Sequence, residues 1–381
     1  VDCDWSSDVC SSDLAAAAPV AGFIADRVAR RHLILGGCVF WSGVAMTTGW
    51  CRTLWQFITV RALEGFGETF YFPATMSLVG DYHDRRTRSR AFSFHQSSVY
   101  AGTIAGSWAG AWFAEMHGWR SGFYLFGGLG MVLALVLYRF LREPARGAGG
   151  GRAAATVPPL GLAETAREIL RRPSALLLMG AFLGANFVAT IFLTWTPTFL
   201  VEKFNFRLTA AGLSGSVFIH LASAVSVPLG GLLADRLAQR FPGGRMLVQA
   251  GGLLIGAAFV AIVGLTTSTG TLLAAMACFG ACKGLYDANI FAAVFDVIEP
   301  RARASAVGIM NAVGWGGGAL GPVAVGWATQ YGRHAKEVDN MSEAIAFGGI
   351  IYLGAAALLL IAALGFARRD VLEASSTPTR S

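Results

Sequence analysis

The chain has 381 residues, of which 54% are apolar, 12% aromatic and only 14% charged, and its mean hydropathy is positive. That balance excludes both a water-soluble globule of this size and a disordered chain, and predicts a helical protein that crosses a membrane many times. The formal charge of +7 alone would fit a nucleic-acid binder, but its distribution, taken up below, excludes that.

Residues 1–13, VDCDWSSDVCSSD, hold no apolar stretch and no basic leader. They read as neither helix nor signal peptide but as a non-native, adapter-like segment outside the fold. Leu14 to Ala25 reads as the last turns of a helix. Ten windows of mainly apolar residues follow, at 33–51, 54–80, 91–114, 121–141, 174–200, 211–233, 246–267, 271–298, 304–330 and 344–366. Each is long enough to cross a hydrocarbon core of about 30 Å as a helix, and the alternation of barrel strands is absent.

The window 54–80 holds Arg61, Glu64 and Glu68. A charge at the bilayer centre costs roughly 2.5 to 3.5 kcal/mol on insertion scales, so such residues are expected to be paired, to line a wet cavity and to serve function. Arg61 and Glu68 are seven apart and share a helix face. Arg61 offers a permanent planar fork to a carboxylate, and Glu68 in a low-dielectric cavity is a candidate proton carrier. A permanent pair of Arg61 with Glu68, or with Glu64 three residues away, is the competing structural reading.

Between the halves, around the linker 144–173, the stretch EPARGAGGGRAAATVPP from Glu143 has a flexible composition and continues as LGLAETAREILRR. The second part suits either a short interfacial helix or a mere tether. In the windows that follow, Asn186, Tyr286, Asn289 and Asn311 are candidate substrate contacts, with Thr190, Trp195 and His220 as lesser ones. Lys283 and Asp287, four apart, can neutralise one another, and Asp287 is a second candidate for proton coupling. His95 and His220 read more simply as packing residues. The six cysteines show no metal-site spacing, and no nucleophile and base stand together, so neither a metal, a cofactor nor an enzyme is expected.

Lys and Arg concentrate in alternate loops: 22 on one side, six on the other and two within spans. This positive-inside asymmetry makes the richer side, with the C-terminus, cytoplasmic. The sequence also repeats. PVAGFIADRVARR from Pro19 matches PLGGLLADRLAQR from Pro228 at an offset of 209, and the stretch from Phe66 to Ala91 matches that from Phe279 at an offset of 213. Two halves on one plan predict an internally duplicated transporter. Shifted back by 209, the two spans ahead of the Asp235 motif would fall largely before the chain begins. A first helix and most of a second are therefore expected to be missing.

Gly22 to Arg31, GFIADRVARR, resembles the loop signature of the major facilitator superfamily, with Ala29 where glycine is usual; Gly231 to Arg240 is its copy. The resemblance implies an all-α membrane fold of two six-helix lobes, here 14–143 and 174–381, joined by the linker 144–173. In this reading Asp26 and Asp235 can face helix N-termini, and Arg27, Arg30 and Arg236 can pair with carboxylates at helix ends, as gating elements. Arg61, Gly65, Gly67, Glu68, Phe72 and Pro73, with GWR at Gly118 and REP at Arg142, are similar to the anion:cation symporter family. That likeness implies a monomeric multi-pass transporter of the inner (plasma) membrane, importing a small organic anion such as a sugar acid or carboxylate with protons by alternating access. A carrier of phosphorylated anions, an efflux antiporter and a non-transporting sensor or scaffold are the alternatives.

Overall fold

The computed structural model describes residues 17–144 and 160–376. The adapter-like segment, residues 145–159 of the linker and the last five residues lie outside the described residues. The helices are α1 (17–25), α2 (Arg30–Thr48), α3 (Leu54–Tyr82), α4 (Arg88–His117), α5 (Trp119–Phe140), α6 (Leu162–Arg171) and α7 (Pro173–Phe204). They continue as α8 (Leu208–Arg240), α9 (Gly244–Leu265), α10 (Thr269–Asp287), α11 (Ile290–Val297), α12 (Arg303–Tyr331), α13 (Glu337–Ile361) and α14 (Ala367–Ser376). No strand occurs among the described residues.

Local chemistry sets where these helices start and stop. Thr53 Oγ1 accepts from the Gln56 amide at 3.3 Å while Gln56 Oε1 accepts from the Thr53 amide at 3.2 Å, a capping box that opens α3. Pro173 opens α7, where its missing N–H costs nothing. At the other end of α7, Asn205 adopts φ 54° and its amide reaches Leu200 and Val201 carbonyls, a left-handed cap that asparagine tolerates. Between α4 and α5 the chain turns on Gly118 at φ 79°, where a side chain would be strained.

One expected span is broken. The window 271–298 forms two helices, with Ala288 and Asn289 turning between α10 and α11. Composition hides this, because the apolar run continues straight through the break. Within the linker, α6 does form, with Thr165 and Ile169 on its buried side.

Among the described residues five stretches are apolar and long enough to cross a membrane by composition alone: Trp119–Phe140, Pro173–Phe204, Val217–Arg240, Gly244–Leu265 and Glu337–Leu372. α2, α3, α4, α10 and α12 are also 19 to 30 residues long, but polar side chains dilute their hydropathy. Large apolar side chains such as Leu135, Leu221, Leu229 and Val323 stand exposed on the outer faces, an arrangement suited to lipid contact. In the first lobe α2 packs on α3 and α5; in the second α7 packs on α12, α8 on α10 and α9 on α13. The lobes meet mainly through α4 on α8 and through α3 on α12.

Candidate functional site

Two sets of residues join the lobes. The first lies at the end of the molecule that carries the duplicated motif. Asp26, at the end of α1 and 1% exposed, accepts from the Ala304 amide at 3.1 Å, the Ser305 amide at 2.7 Å and Ser305 Oγ at 2.5 Å. These donors form the first turn of α12, so Asp26 satisfies orphan amides and meets the positive end of the helix dipole. One turn earlier, a Cβ on Gly22 would stand 2.3 Å from the Ala304 carbonyl oxygen; only glycine lets α1 and α12 approach this closely.

The second lobe returns the same contact. Asp235 accepts from the Ser89 amide at 3.1 Å and the Arg90 amide at 3.0 Å, capping α4, and a Cβ on Gly231 would lie 2.8 Å from the Ser89 carbonyl oxygen. Behind each cap sits a buried ion cluster. Arg30 pairs with Asp81 and Arg303 approaches Asp81 at 3.4 Å. Arg245 pairs with Asp296 and lies 2.9 Å from Asp235, while Arg88 approaches Asp296 at 3.4 Å. In these pairs Asp81 corresponds to Asp296 and Arg88 to Arg303, an offset of 215 where the sequence match of Arg88–Ala91 with Arg301–Ala304 gave 213. Two residues are gained between them, and the turn at Ala288 and Asn289 is where α11 departs from the unbroken α3.

The expected gating residues divide accordingly. Asp26, Asp235 and Arg30 sit inside the clusters. Arg27 is exposed, stacked on the Phe23 ring at 3.4 Å and donating to the Leu160 carbonyl at 2.8 Å. Arg236 is exposed, and the guanidinium buried beside Asp235 is Arg245 instead, because α8 runs on past Asp235 to Arg240 before the chain turns into α9 at Gly244. Glu143 caps α2 through the Arg30 and Arg31 amides at 3.0 and 3.1 Å. Burial pushes its carboxyl up, but those amides and the Arg30 guanidinium outweigh burial and hold it below the ordinary carboxylate range.

The second set lines a cavity of about 970 Å³ between the lobes, with walls from α1 to α5 on one side and α7, α8, α10, α11 and α12 on the other. Its charged centre is a triad. Lys283 Nζ donates to Tyr100 Oη at 2.7 Å and to Asp287, and the Tyr100 hydroxyl also donates to Asp287. Tyr100 comes from α4, the other two from α10. His220 stacks edge-on to Tyr100 with ring centroids 5.5 Å apart. Asn186 and Asn311 line the same space, Asn186 donating to the Phe182 carbonyl at 3.1 Å.

Other expected contacts lie elsewhere. Arg61 is paired with Glu64 at 2.5 Å, Glu64 in turn accepts from Trp41 Nε1 at 3.0 Å, and neither is among the described residues lining the cavity. Glu68 has its side chain outside the described residues. Tyr286 is 1% exposed and Asn289 fully buried, and neither joins the lining. Asn289 is drawn away by the α10 break, donating to the Leu285 carbonyl at 2.9 Å. Tyr100, Arg245, Asp81 and Asp296 were not singled out from sequence. At the sequence offset of 213 Asp81 falls on Val294, so the repeat read from sequence does not pair it with Asp296.

The family model of the Major Facilitator Superfamily matches residues 14–322 and 221–380. The chain is 28% identical over 326 residues to the chloroplastic sodium-dependent phosphate transport protein 1 of Arabidopsis thaliana, covering 82% of this chain and 63% of that protein. It is 27% identical over 332 residues to the chloroplastic ascorbate transporter of the same plant, covering 82% and 60%. A solved bacterial homolog of the human lysosomal transporter Spinster, inward-facing and unoccupied, shares the fold with a TM-score of 0.60 at 21% identity, covering 97% of this chain and 91% of that one. The chain spans 52 to 63% of the length of these and other curated relatives that it matches.

Proposed function

The chain belongs to the major facilitator superfamily, and from that premise we propose that it is a secondary transporter importing a small organic anion, a sugar acid or carboxylate, together with protons by alternating access. The observation that carries this reading is the cavity itself. It lies between two lobes, is built from both, and holds one lysine with one carboxylate among polar and aromatic walls. A site of this kind, at a repeat interface near the midplane, is where rocking lobes expose a bound molecule first to one side and then to the other.

In this reading Asn186 and Asn311 contact the hydroxyls of the anion, and the Asp26 and Asp235 caps hold the motif end shut until the lobes rock. The motif end is cytoplasmic, in an inner (plasma) membrane. Arg61 would reach the cavity only after leaving Glu64. A phosphorylated anion is the second reading, favoured by the phosphate transport protein among the relatives. Against it, Lys283 is the only Lys or Arg among the described residues of the lining, whereas a doubly charged phosphate calls for more cationic partners.

The test is uptake by cells expressing the complete gene that encodes this sequence. Radiolabelled gluconate is expected to accumulate when the outside is acidic, with or without sodium. Accumulation of glucose 6-phosphate in its place, or of neither, overturns the reading.

A further inference from the structure

Resting on that function, we propose that Lys283 is the anion anchor of the cavity, that Asp287 holds it in reserve, and that a proton on Asp287 releases it to the substrate. The geometry separates Lys283 from the other intramembrane cation. Arg61 is fixed within one lobe by Glu64 and lies off the cavity lining. Lys283 lies in the lining, its side chain 17% exposed and that of Asp287 16%, and its third partner, Tyr100, belongs to the opposite lobe. Among the described lining residues the one Lys or Arg is also the one tied across the lobes.

The charges then set the cycle. With Asp287 ionised, its carboxylate saturates the lysine and an incoming carboxylate has no cation to meet. A proton taken from solution makes Asp287 neutral; the ammonium is left uncompensated, and the substrate carboxylate replaces Asp287 as its partner. Lysine, protonated aspartate and a monovalent anion sum to the same charge as the empty lysine–aspartate pair. Loaded and empty lobes therefore move the same charge, and transport is electroneutral at one proton per monovalent anion. Tyr100 has a place in both states, since its hydroxyl can donate to either carboxylate while accepting from Lys283.

The groups around Asp287 are few. Lys283, Cys282 and Tyr286 lie on α10, His95 and Tyr100 on α4, His220 on α8 and Tyr352 on α13. His220 is the rival proton carrier, because it touches the tyrosine that touches Asp287.

Gluconate binding to the purified product of the complete gene, followed by thermal stabilisation at acidic and at neutral pH, tests the assignment. Wild type is expected to bind more tightly in acid. Asp287→Asn is expected to bind at neutral pH as wild type does in acid, with the pH dependence gone. Lys283→Gln is expected to lose about tenfold or more at every pH, the size of a charge-assisted hydrogen bond. The double variant Lys283→Gln with Asp287→Asn leaves no buried charge unpaired, so it carries the test if a single variant fails to fold, and it too is expected to lose binding. Wild-type, pH-dependent binding retained in Lys283→Gln or in the double variant, or pH dependence lost in His220→Gln but kept in Asp287→Asn, overturns this assignment and leaves the transport reading standing. Neither binding nor uptake of gluconate by wild type overturns both.

Discussion

A guanidinium without water needs its charge met and its donors used, and Arg30 shows how the fold does this. It is fully buried, yet it reaches Asp81, Glu143, Ser77 and the Pro144 carbonyl. Removing one partner from such a cluster is more damaging than the net worth of the pair, because the other charge stays buried. Glu143 is the partner most open to water, and its lowered carboxyl fixes a pH dependence. A group held below its ordinary value stabilises the fold above about pH 4.3, the usual glutamate value, and that contribution is lost as pH falls through its own lower value. Protection of the amides in the first turn of α2, taken relative to free-chain exchange at the same pH, is expected to fall in wild type as pH drops below the ordinary glutamate range; Glu143→Gln is expected to show lower protection at neutral pH with that acid step removed. An acid step of the same size in the variant would contradict the cap. At this scale the sequence was partly legible. Arg61 and Glu64 are three apart, and their local pairing could be weighed from spacing alone. Tyr100 could not be found that way, since its partner Lys283 is 183 residues distant and no local pattern encodes a contact between lobes.

At the scale of helices, the ends decide more than the middles. Asp26 could be read as an anion facing a helix N-terminus, but which helix it faces depends on how the two lobes dock. The break between α10 and α11 was illegible because both sides of it are apolar; it turns Asn289 toward the Leu285 carbonyl, while Tyr286 lies ahead of it, buried within α10. The Asp235 cap on α4 joins the lobes, so losing it is expected to favour the arrangement in which the motif end is open. A side-chain cap is worth about 1 to 2 kcal/mol, and 1.4 kcal/mol is a factor of ten in an equilibrium. With spin labels at Arg86 and Gln239, both exposed, Asp235→Ala is expected to move roughly tenfold more of the population to long distances. An unchanged distance distribution would show that the cap holds helices without holding the lobes.

For the molecule as a whole, composition and hydropathy were sufficient to read an all-helical membrane protein, because the bilayer demands long apolar helices whatever they carry; the superfamily was legible only in the motif Gly22–Arg31 and its copy at Gly231–Arg240. The cargo site was less legible, since its described lining comes from ten helices and only their docking decides which polar residues meet. Electroneutral transport requires that the lysine–aspartate pair make loaded and empty lobes equal in charge. Simultaneous recording of gluconate uptake and proton uptake in vesicles containing the purified product of the complete gene, at zero and at imposed membrane potential, reads this directly. The predicted result is about one proton per gluconate, as the charge balance of a single carboxyl requires, with no dependence of rate on potential. Gluconate uptake without proton movement, or uptake driven by potential alone, would contradict it.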